Sequence, residues 1–193
     1  MKPYFVGVDV SLTAAGLVVL GKSGKTRLEA CLKPPKSLGV GDTPGRLDWH
    51  EAELMRLLAP FAGKIEHVCI EGYGFGAVGR AHALGEIGGT YRRALWRAGI
   101  PMYVAPPTTL KKFTTGAGRG KKEDMKVHAH LNWSYLHSDN NVVDAYCLSR
   151  MARLLAMPEQ IPEDREKSRN LAPVRKYIAG LRKALSYIAP KDM

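Results

Sequence analysis

The chain has no run approaching the ~18 uninterrupted apolar residues that a membrane span needs. It enters a β-rich apolar run at Tyr4 with no signal-peptide pattern before it, so the sequence implies a soluble, unexported protein. Cysteine is scarce. Cys31, Cys69 and Cys147 are odd in number, lack C-x-x-C spacing and each lie within an apolar run, which argues against a disulfide framework and predicts reduced core residues. Acidic residues are in deficit, 18 against 29 Lys and Arg, for a net charge of +11 and a pI near 9.7. Such an excess is the footprint of a polyanion binder, because neutralising phosphates releases their counterions. The basic residues are dispersed instead of forming one terminal cluster, which disfavours a membrane surface as the polyanion.

At 193 residues and 45% hydrophobic content the chain supports one well-packed domain. Residues 4–10 and Leu17–Leu20 read as a hairpin and Thr26–Leu32 as a third strand, together an antiparallel meander. Leu47, Leu54, Leu57 and Leu58 recur at helical spacing over 46–60, and Pro60 should stop that helix. A strand to Glu71, a glycine-rich stretch 72–79, a helix over 82–98 and a strand at 101–105 follow. A helical crossover between two strands favours parallel pairing. A short helix at 107–115, a basic loop to Lys122, a helix near 122–132 and one beginning around Asn141 complete a domain ending near residue 157. The remainder, 158–193, reads as a basic extension with a helix over Pro173–Ile188. Its stripe of Val174, Ile178, Leu181, Leu185 and Ile188 is expected to dock on the domain, with partner or DNA contact as the alternative.

Three acids stand at element ends: Asp9 closes the first strand, Glu71 the fourth, and Asp144 opens the last helix of the domain. A carboxylate ending an apolar strand is costly to bury alone, so three in one small domain suggest a shared cation. Asn141 lies three before Asp144 and shares its helical face. Hard oxygen ligands favour Mg²⁺ or Mn²⁺, and two such ions can stabilise both the attacking and leaving oxygens of phosphodiester hydrolysis. His128 and His130, two apart, diverge on a helix; His137 is closer to the site and reads equally as a site or a loop residue.

The combination of Gly7-Val-Asp9-x-Ser11-x-x-x-x-Gly16, Ile70-Glu71-Gly-Tyr73, Leu84-Gly-Glu-Ile-Gly-Gly89 and Asp144-Ala-Tyr146 resembles RuvC-like resolvases of the phage type, in the RNase H-like (retroviral integrase) superfamily. The resemblance covers about residues 3–157. It implies an α/β fold with an RNase H-like mixed five-stranded sheet, the first three strands antiparallel and the fourth and fifth parallel, flanked by helices. It further implies a structure-selective, Mg²⁺-dependent endonuclease acting on Holliday junctions and other branched DNA as a homodimer, with two ions per active site. Asp9, Glu71, Asn141 and Asp144 would be the metal and catalytic positions, and Lys121 or Lys122 a lysine near the scissile phosphate. The resemblance places Asp or His where this chain has Asn141. Asparagine offers an oxygen but removes a charge, which should lower metal affinity or turnover. Three accounts stand: natural variation with Asp139 helping, an engineered inactivating replacement for trapping DNA, or a naturally weak enzyme. A junction-binding protein that has lost catalysis is the competing function. An actin-like kinase, suggested faintly by Gly7–Thr13, needs two such halves and a longer chain.

From Thr109 to Lys122 the chain carries Lys111, Lys112, Arg119, Lys121 and Lys122 and no acid, which suits a bent phosphate backbone. Tyr73 and Phe75, set among glycines, offer stacking faces for an unstacked base. Arg80, Arg92, Arg93 and Arg97 extend the track or form a solvated helix face. Leu84, Ile87, Tyr91, Leu95 and Trp96 present more apolar surface than one sheet face needs, which favours a homodimer through that helix. Cytoplasmic location is expected, the host's if the protein is phage-encoded.

Overall fold

The computed structural model describes residues 3–39, 41–72, 81–117 and 122–157. Five strands, β1 Tyr4–Asp9, β2 Ala15–Gly21, β3 Thr26–Leu32, β4 Ile65–Glu71 and β5 Met102–Ala105, form one sheet in the order β3-β2-β1-β4-β5. β1, β2 and β3 pair antiparallel, and β1–β4 and β4–β5 pair parallel. This is the mixed sheet expected from the sequence. β1 and β2 are apolar along nearly their whole length because helices cover both faces, whereas β3, at the edge, alternates Arg27 and Glu29 outward with half-buried residues.

Helices α1 Thr43–Leu58 and α2 Ala81–Arg97 cover one face; α3 Pro107–Thr115, α4 Lys122–Trp133 and α5 Asn140–Ala156 cover the other. Val6, Val8, Leu17 and Val19 pack with Leu54, Leu58, Ile87, Tyr91 and Leu95. Phe5, Val18, Leu20 and Cys69 pack with Phe113, Met125, Ala129 and the length of α5. The helix expected over 46–60 starts three residues earlier. Asp42 accepts a hydrogen bond from the Gly45 N–H at 3.0 Å, and Pro44 sits in the first turn where its missing N–H costs nothing. Pro60 lies in a short 3₁₀ turn, Ala59–Phe61, which ends the helix as expected.

Three of the five apolar residues assigned to a dimer face on α2, Ile87, Tyr91 and Leu95, are fully buried in the protein's own core, while Trp96 is 68% exposed. The stripe therefore serves folding first. Among the described residues no helix is long and apolar enough to cross a membrane.

α5 runs almost wholly buried from Val142 to Leu154. Two glycines let it lie this close: a Cβ on Gly7 would overlap the Ala145 carbonyl and the Ser149 N–H, and one on Gly16 would overlap the Asn141 carbonyl. The segment entering α5 is fastened to β3 by Tyr135, whose ring stacks on Tyr146 at 3.7 Å and whose hydroxyl donates to Glu29 at 2.9 Å.

Candidate active site

Val8 of β1 pairs with Ile70 of β4, so Asp9 and Glu71 are the next positions on two adjacent parallel strands, at the same sheet edge. Side-chain alternation puts them on the face shared by Phe5 and Cys69, which α5 covers. Asp9 is buried, 6% exposed, and Glu71 is half-buried. Asp9 pairs with Gly16, and Gly16 with Cys31; on the other side Glu71 pairs with Ala105. The edge thus reads Cys31, Gly16, Asp9, Glu71, Ala105.

The first turn of α5 rests on Gly16 through Asn141, and its second passes over Gly7 through Ala145 and Leu148. Asp144, half-buried, lies on the turn between them. The three acids singled out in the sequence are therefore brought to one edge by pairing and by helix packing. Their chemistry fits a hard divalent cation, a set of carboxylate oxygens with one side chain nearly closed to water. Among the described residues, however, no three His, Cys, Asp or Glu side chains converge closely enough to hold a metal ion. The donor types and their edge fit the group; the side chains are not drawn together around it.

Asn141 has a second engagement that the sequence did not announce. Its amide and the Asp139 carboxylate both act on the Cys31 thiol, in opposite directions. Cys31 is thus a half-buried residue at the rim of the site and not the core residue expected; Cys69 and Cys147 are buried as expected. Asp139 caps α5, accepting from the Asn141 N–H at 2.9 Å, and lies 3.5 Å from Lys33. Burial opposes its charge, but hydrogen bonds from Cys31 and the Asn141 N–H, with Lys33 beside it, hold its carboxyl below the usual range.

Burial, then the hydrogen bond and charge of Asp139, push the Cys31 thiol up to about 11, against the opposing pull of Lys33. The thiolate is the nucleophile, so at pH 8 alkylation of Cys31 should run roughly a hundredfold slower than that of a free cysteine peptide. The rate should climb as pH approaches 11, and Asp139→Asn should accelerate it. Mass spectrometry after timed iodoacetamide quenching reads this; labelling at the free-peptide rate at pH 8 contradicts the cluster.

The basic residues divide. β5 ends at Ala105, and Pro107 opens α3, so Lys111, half-buried, and Lys112, exposed, belong to a helix that starts beside Glu71. Lys122 is the first residue of α4, and Lys126 ties that helix to the approach to α5 by donating to the Ser138 carbonyl at 2.6 Å. Arg93 and Arg97 pair with Glu51 of α1, at 2.8 and 3.8 Å, so they brace the two helices. His137 accepts from the Asp139 N–H at 3.0 Å, a loop role. Tyr73, Phe75, Arg80, Arg119, Lys121 and the extension 158–193 lie outside the described residues.

No protein-family model matches the chain. The crossover junction endodeoxyribonuclease RuvC of Anaeromyxobacter sp. (strain Fw109-5) is 28% identical to it over 162 residues, 79% of this chain and 76% of that one. The solved structure of Thermus thermophilus RuvC superposes with a TM-score of 0.65 at 20% identity, covering 81% of this chain and 96% of that one. T. thermophilus RuvC in complex with a Holliday junction substrate gives 0.62 at 18% identity, covering 83% and 97%. The fold is theirs.

Proposed function

We propose that this chain, RuvC-like in sequence and fold, is a structure-selective DNA endonuclease that hydrolyses phosphodiesters at four-way junctions and related branched DNA. The observation that carries the reading is the meeting of Asp9, Glu71 and the Asn141–Asp144 turn of α5 at one sheet edge, in a chain of net charge +11.

Asp9, Glu71 and Asp144 would hold Mg²⁺ or Mn²⁺, two ions per site, with Asn141 adding a neutral oxygen. Ions held there would supply an activated water and neutralise charge on the leaving oxygen. The chain's own part is positioning. Burial of Asp9 fixes one carboxylate, and the seating of α5 on Gly7 and Gly16 fixes the other helix-borne oxygens relative to it. Lys122 would steady developing charge at the scissile phosphate. Lys111, Lys112, Arg119 and Lys121 would neutralise neighbouring phosphates, with Arg80 extending the track and Tyr73 and Phe75 stacking against opened bases. Paired cuts require a homodimer, about 42 kDa from the 21.2 kDa chain. Such an enzyme would act in the cytoplasm, the host's if phage-encoded.

A second reading, a junction-binding protein without catalysis, is favoured by one observation: the neutral Asn141 is engaged with Cys31. Nicking of a synthetic four-way junction with Mg²⁺ or Mn²⁺ separates the two. The nuclease reading expects slow cutting by the wild type and roughly tenfold faster cutting by Asn141→Asp, since ligand charge tunes divalent affinity. Binding without cutting by the wild type, with cutting restored in Asn141→Asp, supports the second reading. No cutting by either variant overturns the nuclease.

A further inference from the structure

The turn that follows Asp9 is gripped from behind by a buried polar bracket. On α1, Arg46 and His50 are four apart and both face inward, 9% and 0% exposed. His50 Nε2 lies 3.1 Å from the Leu12 carbonyl and its Nδ1 lies 2.7 Å from the Tyr91 hydroxyl of α2. A carbonyl only accepts, so Nε2 carries the proton and Nδ1 accepts from Tyr91. Arg46 donates to the same Leu12 carbonyl at 3.5 Å and, from Nε and Nη2, to Leu38 and Gly39 carbonyls at 3.0–3.2 Å. Both faces of the bracket thus close on the segment that joins Asp9 to its strand partner Gly16.

We propose that Arg46 and His50 are positioning residues that hold the Val10–Ala14 turn through the Leu12 carbonyl and thereby set where Asp9 and the Gly16 seat of α5 stand. The inference rests on the nuclease reading for its functional consequence. Within the turn itself only the Ser11 hydroxyl bonds, to Thr13 and Ala14, are local, and they are exposed or half-buried contacts of 3.2–3.3 Å. The bracket reaches the turn from side chains that are themselves buried. Tyr91 stands near enough to the site that, after burial, the charge of Asp9 is what opposes its ionisation. Burial likewise disfavours the charged imidazole, with Arg46 adding to it, so His50 stays neutral and keeps the one tautomer that fits both partners. A misplacement of about 1 Å in a reacting constellation can cost on the order of a hundredfold in rate.

The test compares His50→Leu, His50→Gln and the nearly isosteric Tyr91→Phe in the full-length chain. Glutamine can donate to Leu12 and accept from Tyr91, whereas leucine keeps bulk and does neither. His50→Leu should lower the rate at saturating junction by roughly tenfold or more with junction affinity within about twofold, and His50→Gln should recover to within about threefold of wild type. Hydrogen exchange at residues 10–14 is measured on the same samples: it should quicken in His50→Leu, and less in Tyr91→Phe, but not in His50→Gln. Wild-type cutting by His50→Leu, equal loss in His50→Leu and His50→Gln, or unaltered exchange at 10–14 overturns the bracket. If His50→Leu does not fold, exchange in Tyr91→Phe decides. If the wild type cuts no branched DNA, the nuclease reading fails and exchange alone decides this inference.

Discussion

Gly7→Ala is expected to cost at least about 3 kcal/mol of stability and to lower the melting temperature by about 10 °C. The added methyl has nowhere to go, because the atoms it meets are the Ala145 carbonyl and the Ser149 N–H, backbone groups of a helix buried along most of its length. A flexible side chain could swing aside; α5 must instead lift from β1. Lifting it parts its own Leu148 and Met151 from Phe5 and the other sheet residues of the larger core cluster. Gly16→Ala acts at the other end of the same contact and should tilt Asn141 and Asp144 away from Asp9. Thermal unfolding of both variants beside an exposed-glycine control, Gly63→Ala excluded for its positive φ, checks the seating; a loss below about 1 kcal/mol for Gly7→Ala contradicts it.

Asp9→Asn is expected to reduce cutting by about a thousandfold or more, equivalent to roughly 4 kcal/mol of transition-state stabilisation, while junction affinity stays within about threefold. The two side chains have nearly the same shape, so the change removes charge from a residue only 6% exposed without altering its bulk. Because shape is kept, thermal unfolding of the metal-free fold should change far less than the cutting rate does. Activity lost far out of proportion to stability is the pattern expected when an acid is retained for chemistry. Parallel loss of both would make Asp9 a packing residue.

Much of this was legible in the chain because local signals decided it. β3 has the bounds that its alternation suggested, Pro60 ends the first helix region, and Pro107 opens α3. The edge location of Asp9 and Glu71 could be anticipated from strand ends, but their adjacency could not, since it depends on β4 inserting beside β1 in a register set by long-range pairing. The reading of Cys31 as core failed for the same kind of reason. An apolar strand sequence places a residue in a sheet without saying that Gly16 next to it leaves room for the start of α5, which brings Asp139 and Asn141 onto the thiol. Arg46 and His50 are polar residues within an amphipathic helix, and only the fold reveals that the carbonyl they hold belongs to the turn after Asp9. Much of the apolar stripe of α2 serves the core, because periodicity cannot tell how much of a helix its own sheet will cover.

The central claim, that the acids at this edge hold divalent cations, is tested most directly by crystals soaked in Mn²⁺ and examined for anomalous scattering. The account predicts a peak within coordinating distance, about 2.0–2.6 Å, of carboxylate oxygens of Asp9, Glu71 and Asp144. Full soaking with no peak among these three, or a peak held elsewhere, would contradict it.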